Sequence, residues 1–284
     1  MLTPLDSFEV NGERGFLPKL DPLDRLPEEF SHWEDIGREL PKLLLTGKVR
    51  SFIKQLPLLN AARLGDDRER KRAMAILSFL GHAYVWGEND LVESLPPSLS
   101  APWHRVAQML GRPPVLSYAS YALGNWRRID LKGPIELGNI ALLQNFLGGQ
   151  DEEWFVLIHV AIEAAAAAAL GAIVAAQGAA ANEEPERVAD QLAVIVQAIE
   201  AMNQILLRMP ERCAPYIYFN RVRPYIHGWA DQPSLPSGIV TKVWRNTAAG
   251  RRSFAAKPAR RARLFRSSTP PSVSPTPPTG YAAI

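Results

Sequence analysis

Cysteine is almost absent from this chain. Among 284 residues there is one, Cys213. An intrachain disulfide is therefore excluded, which fits a reducing, cytoplasmic compartment. Histidine is scarce as well. The five present (His32, His82, His104, His159 and His227) show no metal-ligand spacing. No Gly-rich phosphate loop and no nucleophile elbow occurs. The opening MLTPLDSFEV lacks a basic start followed by an apolar run, so it does not read as a signal peptide. Acidic residues are missing altogether from 241–284, where nine of the 32 Lys and Arg residues lie. That leaves 23 basic against 29 acidic residues in 1–240, so the body is mildly acidic and the overall charge of +3 belongs to the tail. An acidic body argues against nucleic-acid binding by the main part of the chain.

What the chain does have is helical periodicity and a 47% apolar content, enough for a sizeable core. Residues 1–30 are rich in turn formers and read as an extended, wrapping segment. Ser31–Thr46 is expected to be helical, with Ser31 as cap and Trp33, Ile36, Leu40 and Leu43 at helical spacing. A short helix is expected over Val49–Leu58. A longer one is expected over Asp66–Trp86, whose second half, MAILSFLGHAYVW, is apolar on every side and hence buried. Leu95–Pro102 reads as a Pro-rich hinge, and Trp103–Leu110 and Val115–Trp126 as helices separated by GRPP.

Glu152–Gln177 is the expected centre of the fold. Its apolar run is long enough to span a bilayer, but His159 and Glu163 would then sit near mid-span at a cost of kilocalories. The run Ala164–Ala169 combines high helix propensity with room for close helix contact, so a buried core helix is expected rather than a membrane span. Asn182–Met209 should follow as an amphipathic helix, with Glu183, Glu184 and Glu186 in its first turns. The class is all-α, with a small helical part over 1–98, a larger bundle over 99–240 and a disordered basic tail over 241–284.

The densest chemistry lies in Arg212–Trp229, RCAPYIYFNRVRPYIHGW, where five aromatic residues surround Arg221 and Arg223. Aromatic faces supply flat apolar walls, and an arginine fork suits a carboxylate. Together they describe a pocket for an aromatic amino acid.

Four further segments accompany it: AYVWGE, LPPSLSAPW, PPVLSYASYALGNW and WFVLIHVAIEA. Their order and spacing resemble the indoleamine 2,3-dioxygenase family over residues 10–240. The resemblance implies a helical bundle of the indoleamine/tryptophan dioxygenase type. It also implies a haem b (iron) cofactor, and tryptophan or a related indole and dioxygen as substrates, with N-formylkynurenine as product. It implies neither a nucleic-acid nor a membrane partner, and a monomer. On this resemblance Arg223 binds the substrate carboxylate. Tyr218, Phe219, Tyr118 and Phe155 wall the indole, and Ile226 is an apolar pocket position. Mammalian members usually carry Phe at the position of Tyr218 and serine at that of His159. In the related bacterial tryptophan 2,3-dioxygenases a histidine occupies the comparable place. His159 is therefore expected to accept a hydrogen bond from the indole N–H and orient the ring. The remaining histidines are expected to be structural.

The resemblance stops after Val240. The sequence TKVWRNTAAGRRSFAAKPARRARL that follows has the character of GC-rich coding DNA read out of frame. Restoring one base gives codons compatible with Tyr-Glu-Gly-Val, and later with a G-x-x-GAQSS loop of the family. On that reading the proximal haem histidine falls beyond residue 284 and the chain binds haem poorly. Two other readings remain at this point: a non-catalytic, indole-binding remnant, and a helical domain with a basic nucleic-acid-binding arm.

Overall fold

A computed structural model describes residues 5–90, 92–229, 235 and 238–241 of the chain. The expectations for 242–284 lie outside the described residues. The described part is mostly helical. Helix α1 (Ser31–Leu45), α2 (Val49–Lys54), α3 (Asp67–Trp86) and α4 (Pro97–Met109) precede a long hairpin of α5 (Gln150–Ala181) and α6 (Pro185–Leu207). Two small sheets join them. Strand β1 (Ser94–Leu95) pairs in parallel with β4 (Val240–Thr241). Strand β2 (Trp126–Arg128) pairs antiparallel with β3 (Ile140–Leu142), with Trp126 opposite Leu142.

Helix α3 is the axis of the main core. Asp66 caps it by accepting from the Glu69 N–H, and every residue from Arg72 to Val85 is buried. Charge at that depth needs a partner. Arg72 finds it in Glu34 of α1, 2.7 Å away and equally buried. Trp33, Trp103, Trp126, Phe79 and Phe146 fill the space around it. Gly81 lets α4 approach, because a Cβ there would lie 2.2 Å from the Trp103 ring.

Several boundaries differ from expectation for identifiable reasons. A turn of 3₁₀ helix, Glu28–Phe30, runs straight into α1, so Ser31 is already helical and Phe30 holds the cap position. Helix α2 stops at Lys54, short of Pro57, which disfavours helical geometry in the residue before it. The expected hinge is mostly helix: Pro97 occupies the first helical position, where its missing N–H costs nothing, and α4 runs on from there. Val115–Trp126 is not one helix. It holds a π-helical turn, Ala119–Leu123, and ends as Asn125 turns its side-chain amide onto the Tyr121 and Gln144 carbonyls.

Helix α5 has three acids, Asp151, Glu152 and Glu153, in its first turn, where the helix dipole favours them. Of the six consecutive alanines, Ala166, Ala167 and Ala169 are buried and only Ala168 is exposed. The helix ends in a Schellman arrangement: the Glu184 N–H donates to Ala179 O at 3.0 Å and the Glu183 N–H to Ala180 O at 3.2 Å. Glu183 takes the left-handed conformation there, φ 59°. Glu183 and Glu184 therefore belong to the turn, and only Glu186 lies in the first turn of α6. Both α5 and the stretch Pro185–Glu211 are long and apolar enough to cross a membrane by length and composition. Half of the α5 window is buried in the fold, but only 6% of the second one. Leu192, Val196, Ile199, Leu206 and Leu207 of α6 are exposed.

The N-terminal segment crosses α5 at Gly15, whose φ of 60° and close approach to Glu163 O and Leu170 leave little room for a side chain. Asp21 then receives Arg14 and Arg128, both at 2.8 Å. Burial pushes the Asp21 carboxyl up, but hydrogen bonds from Arg128 and Arg14 outweigh this and hold its pKa below the usual range.

Candidate functional site

Phe155, His159 and Glu163 recur every four residues, which sets them along one side of α5. Two segments meet that side. The first carries Tyr118, immediately before the π-helical turn Ala119–Leu123. The second is another π-helical turn, Tyr218–Val222, followed directly by Arg223. Such turns shift the side-chain register by one residue and occur often at functional sites.

The rings form a chain of contacts. Phe155 stacks on Tyr218 with centroids 3.9 Å apart, and lies 4.3 Å from His159. Tyr118 approaches His159 edge-on at 6.1 Å, and its hydroxyl donates to Glu163 Oε1 at 2.9 Å. The structure thus brings Tyr118, Phe155, His159 and Tyr218 together. Phe219 and Arg223 form a second pair on the exposed side of their turn, with the guanidinium 5.3 Å over the ring. Arg223 makes no ion pair among the described residues. Ile226 is half-buried and packs against the main core.

His159 has a defined protonation pattern. Its Nδ1 lies 2.7 Å from the Phe155 carbonyl, which can only accept, so Nδ1 carries the hydrogen. Burial lowers its pKa, against the pull of that hydrogen bond, and favours the neutral ring. Nε2 is then a hydrogen-bond acceptor. Burial raises the pKa of Glu163, with the Tyr118 hydrogen bond opposing, and burial and Glu163 together raise that of Tyr118.

Two participants escape sequence reasoning. One is Glu163, whose place is nevertheless readable from its spacing to His159. The other is Tyr121, whose hydroxyl lies 3.4 Å from that of Tyr218. That contact draws the Tyr218 oxygen toward Tyr121 and leaves the ring to stack on Phe155. Nothing in the sequence pattern pairs these positions. A separate open cleft of about 600 Å³, lined in part by Arg14, Arg128, Ile135, Ala164, Ala165 and Ile205, adjoins α5. At 100° per residue, Ala164 and Ala165 lie away from the His159 side, so this cleft is distinct from the aromatic cluster.

A mostly helical chain with an aromatic cluster on its central helix, an acceptor imidazole among the rings and an unpaired arginine beside them defines a class. It is a helical protein with a cluster of aromatic side chains packed around one imidazole. The comparisons name the family: the chain belongs to the indoleamine 2,3-dioxygenases, whose family profile matches residues 4–255. It is 34% identical over 244 residues to indoleamine 2,3-dioxygenase 1 of Rattus norvegicus, an alignment covering 84% of this chain and 60% of the relative. Against indoleamine 2,3-dioxygenase of Saccharomyces cerevisiae it is 33% identical over 251 residues, covering 84% and 55%. Against indoleamine 2,3-dioxygenase 2 of Homo sapiens it is 32% identical over 238 residues, covering 83% and 58%. The chain therefore spans about three fifths of the length of these curated relatives.

Proposed function

We propose that the described residues form the substrate side of a haem-dependent dioxygenase that opens the indole ring of tryptophan to N-formylkynurenine. The observation that carries this reading is the Phe155–Tyr218 stack beside His159, whose Nδ1–H is committed to a carbonyl so that Nε2 can accept the indole N–H. Phe155, Tyr218 and Tyr118 exclude water from the ring, and Phe219 and Ile226 extend the wall. Arg223 takes the substrate carboxylate. Haem b, when bound, supplies the redox chemistry with dioxygen.

The residues present fit the substrate side of such a group. We assign the axial histidine to a position beyond residue 284, in accord with a lost base after the Val240 codon. The body is read as a cytoplasmic monomer that engages neither nucleic acid nor membrane, with its parts divided near residue 98.

The test is to express the 284-residue chain and a version with the single base restored, both with haem supplied. The restored form should show a Soret band and make N-formylkynurenine, and the shorter form little of either. Robust turnover by the 284-residue form would overturn the ligand assignment. In the restored protein, Arg223→Lys should raise the Kd for tryptophan by about tenfold while haem content stays constant, because lysine keeps the charge but loses the fork. Equal loss of both would refute the anchor role.

A further inference from the structure

We propose that His82 is a positioning residue, a single imidazole that fixes both segments of the candidate site to the core. The inference rests on the dioxygenase reading for its purpose, but its geometry is independent of it. His82 lies one turn before the end of α3 and is fully buried. Its Nδ1 is 2.8 Å from the Tyr225 carbonyl, and its Nε2 receives the Leu116 N–H at 3.0 Å. A carbonyl only accepts and an amide N–H only donates, so one neutral tautomer satisfies both contacts, with the hydrogen on Nδ1.

The two partners are well placed. Leu116 lies two residues before Tyr118, and Tyr225 two residues after Arg223. The imidazole therefore bridges the segment that walls the ring and the segment that carries the arginine. The surroundings hold it in place. Trp229 packs on it at 4.9 Å, and Phe146 stacks on Tyr225 at 5.3 Å. One turn further along α3, Trp86 donates Nε1–H to the His227 carbonyl at 2.9 Å, a second strut to the same stretch. Burial supports the neutral ring, lowering the His82 pKa to about 4. A ring of similar size without nitrogens would leave a part-buried N–H and a part-buried C=O unpaired, one on each segment.

The experiment is hydrogen exchange by mass spectrometry on the 284-residue chain, comparing wild type, His82→Phe and His82→Gln. Glutamine restores one donor and one acceptor on a single amide. His82→Phe should speed exchange about tenfold, the equivalent of one lost hydrogen bond, in peptides spanning Leu116 and Tyr225 together. Peptides of α1 and of the α5–α6 hairpin should be unchanged, and His82→Gln should recover much of the protection. Loosening of one segment alone, uniform loosening of the whole chain, or no recovery with glutamine would overturn the proposal. If His82→Phe does not fold, long-range ¹H–¹⁵N spectra of the wild type decide. The Nδ1–H tautomer supports the bridge, and an Nε2–H or charged ring refutes it. L-Tryptophan and tryptamine binding are measured in parallel. Absence of binding of either by the wild type and by the base-restored protein would count against the dioxygenase reading, while the exchange pattern still decides the role of His82.

Discussion

Tyr218 differs from phenylalanine by one oxygen, and that oxygen is directed to the Tyr121 hydroxyl at 3.4 Å, long for such a pair. Burial pushes the Tyr218 phenol's pKa above its ordinary value, so it stays neutral at any physiological pH. The side chain therefore presents to Phe155 the same face a phenylalanine would. Tyr218→Phe should leave indole binding unchanged and cost less than about 1 kcal/mol of stability, the worth of a weak neutral hydrogen bond. Titration with tryptophan and urea denaturation check the two halves of that expectation. At this scale the sequence is readable where chemistry repeats along one element. Phe155 and His159 are four apart, and Glu163 completes the series. It is silent where partners come from distant segments, as with Tyr121 and Tyr218, because no periodicity connects positions 97 apart.

At the scale of elements, helix α3 shows how one missing side chain sets a packing distance. A methyl group at Gly81 would meet the Trp103 ring at 2.2 Å, and both residues are buried. Gly81→Ala should destabilise the fold by about 1–3 kcal/mol through overpacking, although alanine is the better helix former. Thermal denaturation would show the loss. A rise in Tm would mean that α3 and α4 do not approach so closely. The sequence predicts α1, α3, α5 and α6 well, because each has a long apolar stripe or run of helical length, although that of α6 stays largely exposed. It misplaces the start of α4 because a Pro-rich stretch reads as a breaker, whereas at the first helical position proline is tolerated. It misses the π-helical turns altogether. Their irregularity comes from tertiary packing around Tyr118 and Tyr218, not from residue preference.

At the scale of the whole molecule, two buried titratable groups act on stability in opposite directions. Burial lowers the His82 pKa to about 4 from 6.5, with the Tyr225 hydrogen bond opposing. The folded chain then refuses a proton that the unfolded chain takes, so stability is lost as pH falls from 6.5 towards 4, by about 3 kcal/mol. Glu152 is also fully buried, its carboxylate accepting from the Phe146 and Leu147 N–H groups at 2.9–3.0 Å. Burial outweighs those bonds and raises its pKa from 4.5 to about 7. The folded chain keeps a proton there that the unfolded chain sheds, so stability falls as pH rises from 4.5 to 7. In the overlap the two slopes offset each other. Glu152→Gln removes one of them, and its denaturation midpoint should drop more steeply than that of wild type between pH 6.5 and 4.5. Parallel curves would mean that Glu152 is ionised in the fold. The all-α architecture was legible from composition and run length, but the place of α3 rather than α5 as the axis of the main core was not. The contacts that join segments far apart in sequence, such as the pairing of β1 with β4, carry no signal in so short a strand.

The α5–α6 hairpin has one more consequence. At 1.5 Å per residue the 32 residues of α5 extend roughly 48 Å. Their last dozen are mostly half-buried or exposed, with α6 as the principal neighbour of the helix. The bend at Glu183 and Glu184 is therefore a peptide bond region within reach of a protease, set in a left-handed residue that already departs from helix. An endoprotease that cuts after glutamate should nick the native chain there first. The two pieces should nonetheless co-elute on gel filtration, since the helices remain zipped along their common length. Heating should part them well before an uncut chain melts, because a covalent hairpin has become a two-body association whose persistence depends on concentration.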